Sequence, residues 1–236
     1  MLTEALLYLV TPCPGWARKA GYLRESIAIG ARHGRRKTDW ADHLTNSKNA
    51  VLQAAARCGK KRRAVVMGSG HGFDLPLESL AATFGRIDLV DAVHPLTMRL
   101  WARRHRGVSL IDADVTGRNG PRPAFPADTD LIVSLNLVSQ LGVAPGIDPA
   151  ERAALRRSHL AETLSLGSVA CVIGDVERRE TRRGMGEPEI IRMPWSGGAD
   201  LPDPAEFREW QWSVAPYGEI AADLAVSTTV RAAIWS

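Results

Sequence analysis

Apolar residues fall in short runs separated by polar and glycine-containing turns, and this pattern predicts alternating strands and helices. The apolar runs predict five strands, at residues 63–67, 86–91, 107–112, 130–136 and 168–175. Apolar positions three and four residues apart predict the intervening helices, at residues 74–84, 95–105 and 149–165. Because strands that alternate with helices pair in parallel, the pattern predicts an α/β fold around a parallel sheet.

The segments on either side of this core complete the predicted architecture. Residues 16–31 and 39–58 predict two helices before the first strand, with Asp39 as a candidate N-cap of the second. The chain therefore divides into an N-terminal helical extension, residues 1–61, and an α/β domain, residues 62–236.

The end of the chain predicts a loop followed by two more strands. Residues 177–204 are rich in Arg, Gly and Pro and predict a long loop or a lid over the site. Residues 207–214 and 225–235 predict strands that finish the sheet as an antiparallel pair. At 236 residues and 45% hydrophobic content, the chain can bury one sizeable core.

Closely spaced glycines follow the first strand and predict a ligand-binding turn. Gly68, Gly70 and Gly72 let the backbone approach a ligand where any Cβ would collide. The spacing is G-x-G-x-G, and Phe73 stands where the third glycine of a dinucleotide fingerprint would fall. The second strand ends in Asp91, whose carboxylate can accept two hydrogen bonds from a vicinal diol. Together these features predict a nucleoside-cofactor site.

Over residues 62 to 175 this pattern resembles class I S-adenosylmethionine-dependent methyltransferases. The resemblance implies a Rossmann-like, mostly parallel sheet with an antiparallel C-terminal strand, and S-adenosyl-L-methionine as cofactor. It assigns cofactor contacts to the glycine loop, to the end of the second strand, to the acid after the third strand and to the end of the fourth strand. These residues are Gly68, Ser69, Gly70, Gly72, Asp91, Ala92, His94, Asp114 and Asn136. Asp112 is the register alternative to Asp114.

The chain departs from the superfamily at Val66, where many members carry an acid. Contacts to the methionyl amine are therefore missing or are supplied by other residues. After Asn136, the chain also lacks the prolines and the aromatic residue of members that methylate planar nitrogens, which disfavours a nucleobase amine as substrate.

Candidate catalytic and substrate-binding residues flank the predicted cofactor site. His71, inside the glycine loop, is a candidate base, and Asn136 can orient a substrate by hydrogen bonds. Helices before the sheet cover the cofactor in many similar methyltransferases. This makes Tyr22 and Trp40 candidate substrate contacts, together with Gln140. Two further pocket candidates on the same helices are Arg24 and His43.

Charge is divided unevenly along the chain. Residues 1–63 hold 13 Lys or Arg and 4 Asp or Glu, whereas the remainder holds 17 and 22. The densest basic clusters are residues 32–37 and 60–63. Such clusters can attract RNA, an acidic carrier protein or an anionic substrate, but the favoured interpretation is a solvated helical surface.

Other features bear on location and metals. No apolar run is long enough to cross a membrane, and residues 6–10 make a poor signal peptide, so we expect a cytoplasmic protein with no membrane partner. Cys13, Cys58 and Cys171 are far apart and lack metal-ligand spacing, so no metal site is expected.

The function that these observations predict is methyl transfer to a small molecule by in-line displacement. Three alternatives stay open: methylation of RNA or protein, a cyclase or lyase that opens the sulfonium with no second substrate, and a non-catalytic methyltransferase-like binding subunit. The oligomeric state is not predicted.

Overall fold

The computed structural model describes residues 2–141, 147–193, 195–196, 198 and 200–236, and these contain one eight-stranded sheet. The strands are β1 (Arg63–Met67), β2 (Arg86–Asp91), β3 (Val108–Asp112), β4 (Thr129–Leu135), β5 (Val169–Arg182), β6 (Glu189–Arg192), β7 (Glu206–Ala215) and β8 (Leu224–Trp235). Their order is β3-β2-β1-β4-β5-β8-β7, with β6 paired to β5 outside this path. The first five strands are parallel, and β8 is antiparallel to both β5 and β7. The predicted fold class is confirmed.

Helices cover both faces of the sheet. They are α1 (Leu2–Val10), α2 (Gly15–Lys19), α3 (Tyr22–Arg35), α4 (Lys37–Arg57), α5 (Leu77–Thr83), α6 (Leu96–Ala102), α7 (Leu137–Gln140) and α8 (Pro149–Leu166). The main core joins one face of the sheet to α4, α5 and α6. Residues of α8 pack against the opposite face.

The central strands form where the sequence is apolar enough to be buried on both faces. All seven residues of β4 are buried, as are four of the five residues of β1. Fully buried parallel strands have such continuous apolar runs because helices cover both sides. The carboxyl ends of β1, β2 and β4 therefore meet at one edge of the sheet, where the glycine turn also lies.

The structure corrects the predicted N-terminal helices. Residues 16–31 were expected to form one helix, but Gly21 has a φ of 86° and separates α2 from α3. Asp39 does not cap the next helix, because α4 begins earlier, at Lys37. Asp39 instead lies in the first turn, with its carboxylate 3.7 Å from the Arg36 guanidinium.

The predicted loop at residues 177–204 is also partly wrong. Strand β5 continues to Arg182, and β6 pairs with it along residues 177–180. These four residues are charged and partly exposed, and hydrogen bonding to β6 and β8 on either side satisfies their backbone. Because the outer part of β5 and β6 are held by backbone pairing, they have no apolar run from which the sequence could predict them.

The N-terminal extension packs closely on the α/β domain. Ala50, Val51, Ala54 and Ala55 of α4 belong to the main core beneath the sheet. Helices α2 and α3 pack on Val93, just beyond the carboxyl end of β2. The extension therefore lies beside the predicted cofactor site.

Candidate functional site

The glycine loop has the backbone conformation that its sequence predicts. Gly68, Gly70 and Gly72 have φ values of 80°, 38° and 67°, in the region where a Cβ is disfavoured. A Cβ on Gly68 would lie 2.3 Å from the Leu135 carbonyl oxygen, so this glycine lets β1 and β4 approach closely. A Cβ on Gly70 would meet only Asp91, at 3.5 Å. Gly70 is thus the point where the loop is open toward a ligand.

Asp91 lies directly across from the loop. The Gly70 N–H donates a hydrogen bond to Asp91 Oδ2 over 2.8 Å, and the Val93 N–H lies 3.4 Å from Asp91 Oδ1. Burial raises the pKa of the Asp91 carboxyl above its usual value, against the hydrogen bonds that favour the charged form. The backbone thus holds Asp91 Oδ2 closely, and Oδ1, whose backbone contact is long, keeps acceptor capacity.

His94 joins the glycine loop to the end of β3 through buried side chains. The ring is fully buried, and His94 Nδ1 donates to Asp112 Oδ1 over 2.7 Å while Nε2 lies 3.1 Å from Ser69 Oγ. Arg99 binds the same Asp112 carboxylate at 2.8 Å and donates to the His94 carbonyl. Because Ser69 is only 1% exposed, this chain of side chains positions the loop and presents no accessible nucleophile.

Asp114 is committed to the turn that follows β3. Its Oδ1 accepts from the Thr116 N–H and hydroxyl, and its Oδ2 accepts from the Asn119 N–H over 2.9 Å. Asn119 also donates to the Tyr22 hydroxyl over 3.1 Å. This brings Tyr22 of α3 to the Asp114 turn. Burial, followed by the nearby Asp114 charge, raises the pKa of Tyr22.

The end of β4 carries a polar pair. Asn136 has a φ of 55°, unlike any other described residue that is not glycine. Its Nδ2 donates to Asp74 Oδ2 over 2.8 Å, and its buried Oδ1 has no hydrogen-bond partner. Burial raises the pKa of Asp74 to about 6. The sequence pattern named Asn136, whereas Asp74 was only the first residue of the predicted helix at 74–84.

His71 points from the loop toward α3. Its Nε2 donates to the Ser26 carbonyl over 2.8 Å, so Nδ1 is the ring atom left to accept a proton. Burial lowers the pKa of His71, which keeps the ring neutral near pH 7. The ring stacks on Phe73, and Phe73 stacks in turn on His33, with centroids 4.7 Å and 3.7 Å apart.

The remaining predicted pocket residues lie elsewhere. Trp40 is buried against Trp212 and donates to the Val214 carbonyl, which is a packing role. His43 is stacked on Trp212, and burial lowers its pKa to about 3. Arg24 and Gln140 are exposed. Among these candidates, Tyr22 is linked through Asn119 to a predicted cofactor residue, Asp114.

The N-terminal basic clusters are largely paired with acids of the α/β domain. Glu219, at the tip of the β7–β8 hairpin, binds Arg35 at 2.6 Å and Arg36 at 2.8 Å. The Glu219 side chain is only 4% exposed. In the second cluster, Arg62 binds Asp130, and Arg63 binds both Asp88 and Asp128. Glu219 thus ties the first cluster to the β7–β8 hairpin, whereas the pairs of Arg62 and Arg63 lie within the α/β domain.

A groove of about 550 Å³ opens between α4 and α5. It is lined by Lys48, Leu75 and Trp101 among others, but not by the glycine loop or Asp91. The glycine loop and Asp91, and not this groove, define the candidate site.

No protein-family model matches the chain, and no curated protein sequence matches it. Solved structures that are similar include the N-methyltransferase NodS from Bradyrhizobium japonicum WM9, in complex with S-adenosyl-L-homocysteine. That match has 15% identity, 82% coverage of this chain, 87% of that chain and a TM-score of 0.44. CalS10, an amino pentose methyltransferase from Micromonospora echinaspora, matches with 18% identity, coverages of 84% and 94%, and a TM-score of 0.40. The 23S rRNA methyltransferase ErmE matches with 12% identity, coverages of 79% and 67%, and a TM-score of 0.36.

The chain has a class I methyltransferase-like fold. The strand order, the antiparallel β8 and the glycine loop after β1 agree with the predicted fold. The TM-scores are below 0.5, so the functional proposal for this methyltransferase-like chain rests on its own site geometry.

None of the described helices is both long and apolar enough to cross a membrane. Across the same part of the chain, no group of three or more His, Cys, Asp or Glu side chains is arranged to hold a metal ion.

Proposed function

We propose that the protein transfers a methyl group from S-adenosyl-L-methionine to a small-molecule acceptor. The observation that carries this proposal is the hydrogen bond from the Gly70 N–H to Asp91 Oδ2 at the carboxyl edge of the sheet. This hydrogen bond holds the Asp91 carboxylate beside Gly70, where the absence of a side chain leaves the loop open. Ligands of open α/β sheets bind at this edge.

The residues present fit the cofactor at both of its ends. Asp91 has acceptor capacity for the two ribose hydroxyls, and the Gly68–Gly72 loop allows close approach of the methionyl chain. The unpartnered Asn136 Oδ1 supplies a buried acceptor at the end of β4. Asp114 and Ala92 complete the proposed cofactor contacts, with Asp114 already oriented by its own turn.

The bound cofactor would supply an electrophilic methyl group, and the chain supplies position and exclusion of water. In-line displacement gains most from holding the reacting atoms in an aligned geometry. Helices α2 and α3 pack on Val93 and limit access from that side. His71 Nδ1 is the proposed acceptor of a proton from the substrate, since Nε2 is held by Ser26.

A small acceptor is favoured over RNA because acidic side chains neutralise part of each basic cluster. Arg35 and Arg36 bind Glu219, and Arg62 and Arg63 bind aspartates of the sheet. Nucleic-acid affinity depends on cations that are free to neutralise phosphates.

The test is a methyl-transfer screen with labelled S-adenosyl-L-methionine and a panel of small amines, alcohols and thiols. Transfer of label to one class of acceptor supports the proposal. Release of methylthioadenosine or a lactone without any acceptor would instead support the cyclase or lyase alternative. A protein that binds the cofactor but consumes none under either condition would support the binding-subunit alternative.

A further inference from the structure

Strand β1 provides no acid for the methionyl end of the proposed cofactor. Val66 is fully buried in the main core, among residues of α4 and α5. The α-ammonium of the cofactor has three N–H donors and a positive charge, and burying such a group without acceptors is costly. Another part of the site must therefore supply them.

Asp74 and Asn136 are two acceptors that the fold holds together beside the glycine loop. Asp74 follows the glycine loop and Asn136 follows β4, so the pair joins the two segments that flank the carboxyl end of β1. The hydrogen bond between them, 2.8 Å from Asn136 Nδ2 to Asp74 Oδ2, orients both side chains. No cationic side chain among the described residues lies within ion-pair distance of Asp74.

Asn136 gives a second, independent indication that a donor binds here. Its Oδ1 is buried and has no hydrogen-bond partner, a state that costs free energy unless a donor arrives. Its backbone φ of 55° is uncommon outside glycine, and such strain clusters at ligand sites. The Asn136 N–H is bonded to the Ile173 carbonyl over 2.7 Å, so the residue is fixed in this conformation.

The charges around Asp74 suit a monovalent cation. Lys48 of α4 and Asp91 of β2 act on the carboxyl group with opposite signs, and burial raises its pKa to about 6. A carboxylate deprived of solvent in this way gains more from a bound cation than an exposed one would.

We propose that Asp74 and the Asn136 Oδ1 bind the α-ammonium of the methionyl group, in place of an acid on β1. This inference rests on the proposed function, because it concerns the amino-acid end of the same cofactor. Asp74 supplies the charge and Asn136 supplies a neutral acceptor and holds Asp74 in place.

The experiment compares two ligands that differ only in the ammonium. Calorimetric titrations use S-adenosyl-L-homocysteine and its deaminated analogue, 5′-S-(3-carboxypropyl)-5′-thioadenosine. In the wild-type protein the ammonium should strengthen binding at least about tenfold, as expected for hydrogen bonds to charged groups. In Asp74→Asn this preference should disappear, with affinity for the deaminated analogue unchanged.

Two further variants keep the result interpretable. Asn136→Gly removes Oδ1 while allowing the left-handed backbone, and it should reduce the preference for the ammonium. Asp128→Asn is the control, because Asp128 pairs with Arg63 at the opposite end of β1 and β4 from Asn136. It should leave the preference at the wild-type value.

The outcomes separate this inference from the proposed function. An Asp74→Asn protein that keeps the wild-type preference overturns the inference while leaving the cofactor assignment intact. A wild-type protein that binds neither ligand overturns both. If Asp74→Asn does not fold, the Asn136→Gly variant decides the matter by the same comparison.

Discussion

At the scale of single residues, Asp91 bears most directly on the cofactor assignment. Asp91→Ala removes both the proposed ribose acceptor and the anchor of the Gly70 N–H. We expect it to weaken S-adenosyl-L-homocysteine binding by about 1.5–3 kcal/mol, or roughly 10- to 150-fold. Calorimetry measures this, and Asp128→Ala, an exposed aspartate paired with Arg63, is the control. Equal affinity in a folded Asp91→Ala protein would remove Asp91 from the site.

Asp74 should lower the stability of the empty protein at neutral pH. Its folded-state pKa of about 6 lies above the ordinary value of 3.8, so ionising it costs more in the folded state. Its contribution to stability is therefore present below about pH 4 and is lost as pH rises through about 6. Asp74→Asn should raise the free energy of unfolding near pH 7.5 by up to about 3 kcal/mol, with little change near pH 4. Urea unfolding at both pH values checks this, and a variant less stable at pH 7.5 would contradict it.

Alanine substitutions at two glycines test whether the glycine loop can accommodate a side chain. Gly68→Ala combines a φ of 80° with a Cβ placed 2.3 Å from a backbone oxygen, so we expect a loss of at least about 2 kcal/mol. Gly34→Ala is the control, because Gly34 lies within α3 with nothing near its Cβ position. It should stabilise the protein by about 0.5–1 kcal/mol. Equal effects in thermal unfolding would show that the loop tolerates a side chain.

At the scale of elements, the hairpin between β7 and β8 anchors α3 through Glu219. Arginine neighbours, Arg35 first, hold the pKa of Glu219 below its usual value. The stabilisation is therefore present above the unfolded pKa and is lost as pH falls through the lowered folded pKa. Glu219→Gln should cost about 2 kcal/mol near pH 7 in urea unfolding, and less in acid. A loss that is independent of pH would indicate a packing effect instead.

Elements with a buried apolar run were predictable from the sequence, whereas those held by backbone pairing were not. The predicted strand at residues 130–136 corresponds to β4, which is buried along its whole length. The outer half of β5 and all of β6 were missed, since their residues are polar or exposed. Gly21 was not recognised as a break between α2 and α3 because the apolar pattern continues across it.

In the candidate site, the features that are local in sequence were predictable, whereas contacts between residues far apart in the chain were not. The glycine loop and Asp91 were predictable because each stands at the end of a readable strand. The pairing of Asp74 with Asn136 depends on the register of β1 with β4, which brings together residues 62 positions apart. The burial of His94 likewise depends on the pairing of Asp91 with Asp112. Sequence spacing carries no information about either contact.

At the scale of the whole molecule, the paired arginines predict weak binding to RNA despite a formal net charge of +4. Fluorescence polarisation with a mixed-sequence RNA should show no saturable binding at about 0.15 M salt. Tight binding that weakens steeply as salt rises would favour the RNA-methylating alternative.

The central claim is that the edge of the sheet at Gly70 and Asp91 binds a sulfur nucleoside. It is tested most directly by calorimetric titration of the wild-type protein with S-adenosyl-L-methionine and S-adenosyl-L-homocysteine, with NAD as the control. We expect both sulfur nucleosides to bind with dissociation constants on the order of micromolar, and NAD not to bind. Binding of NAD alone, or of none of the three, would contradict the account.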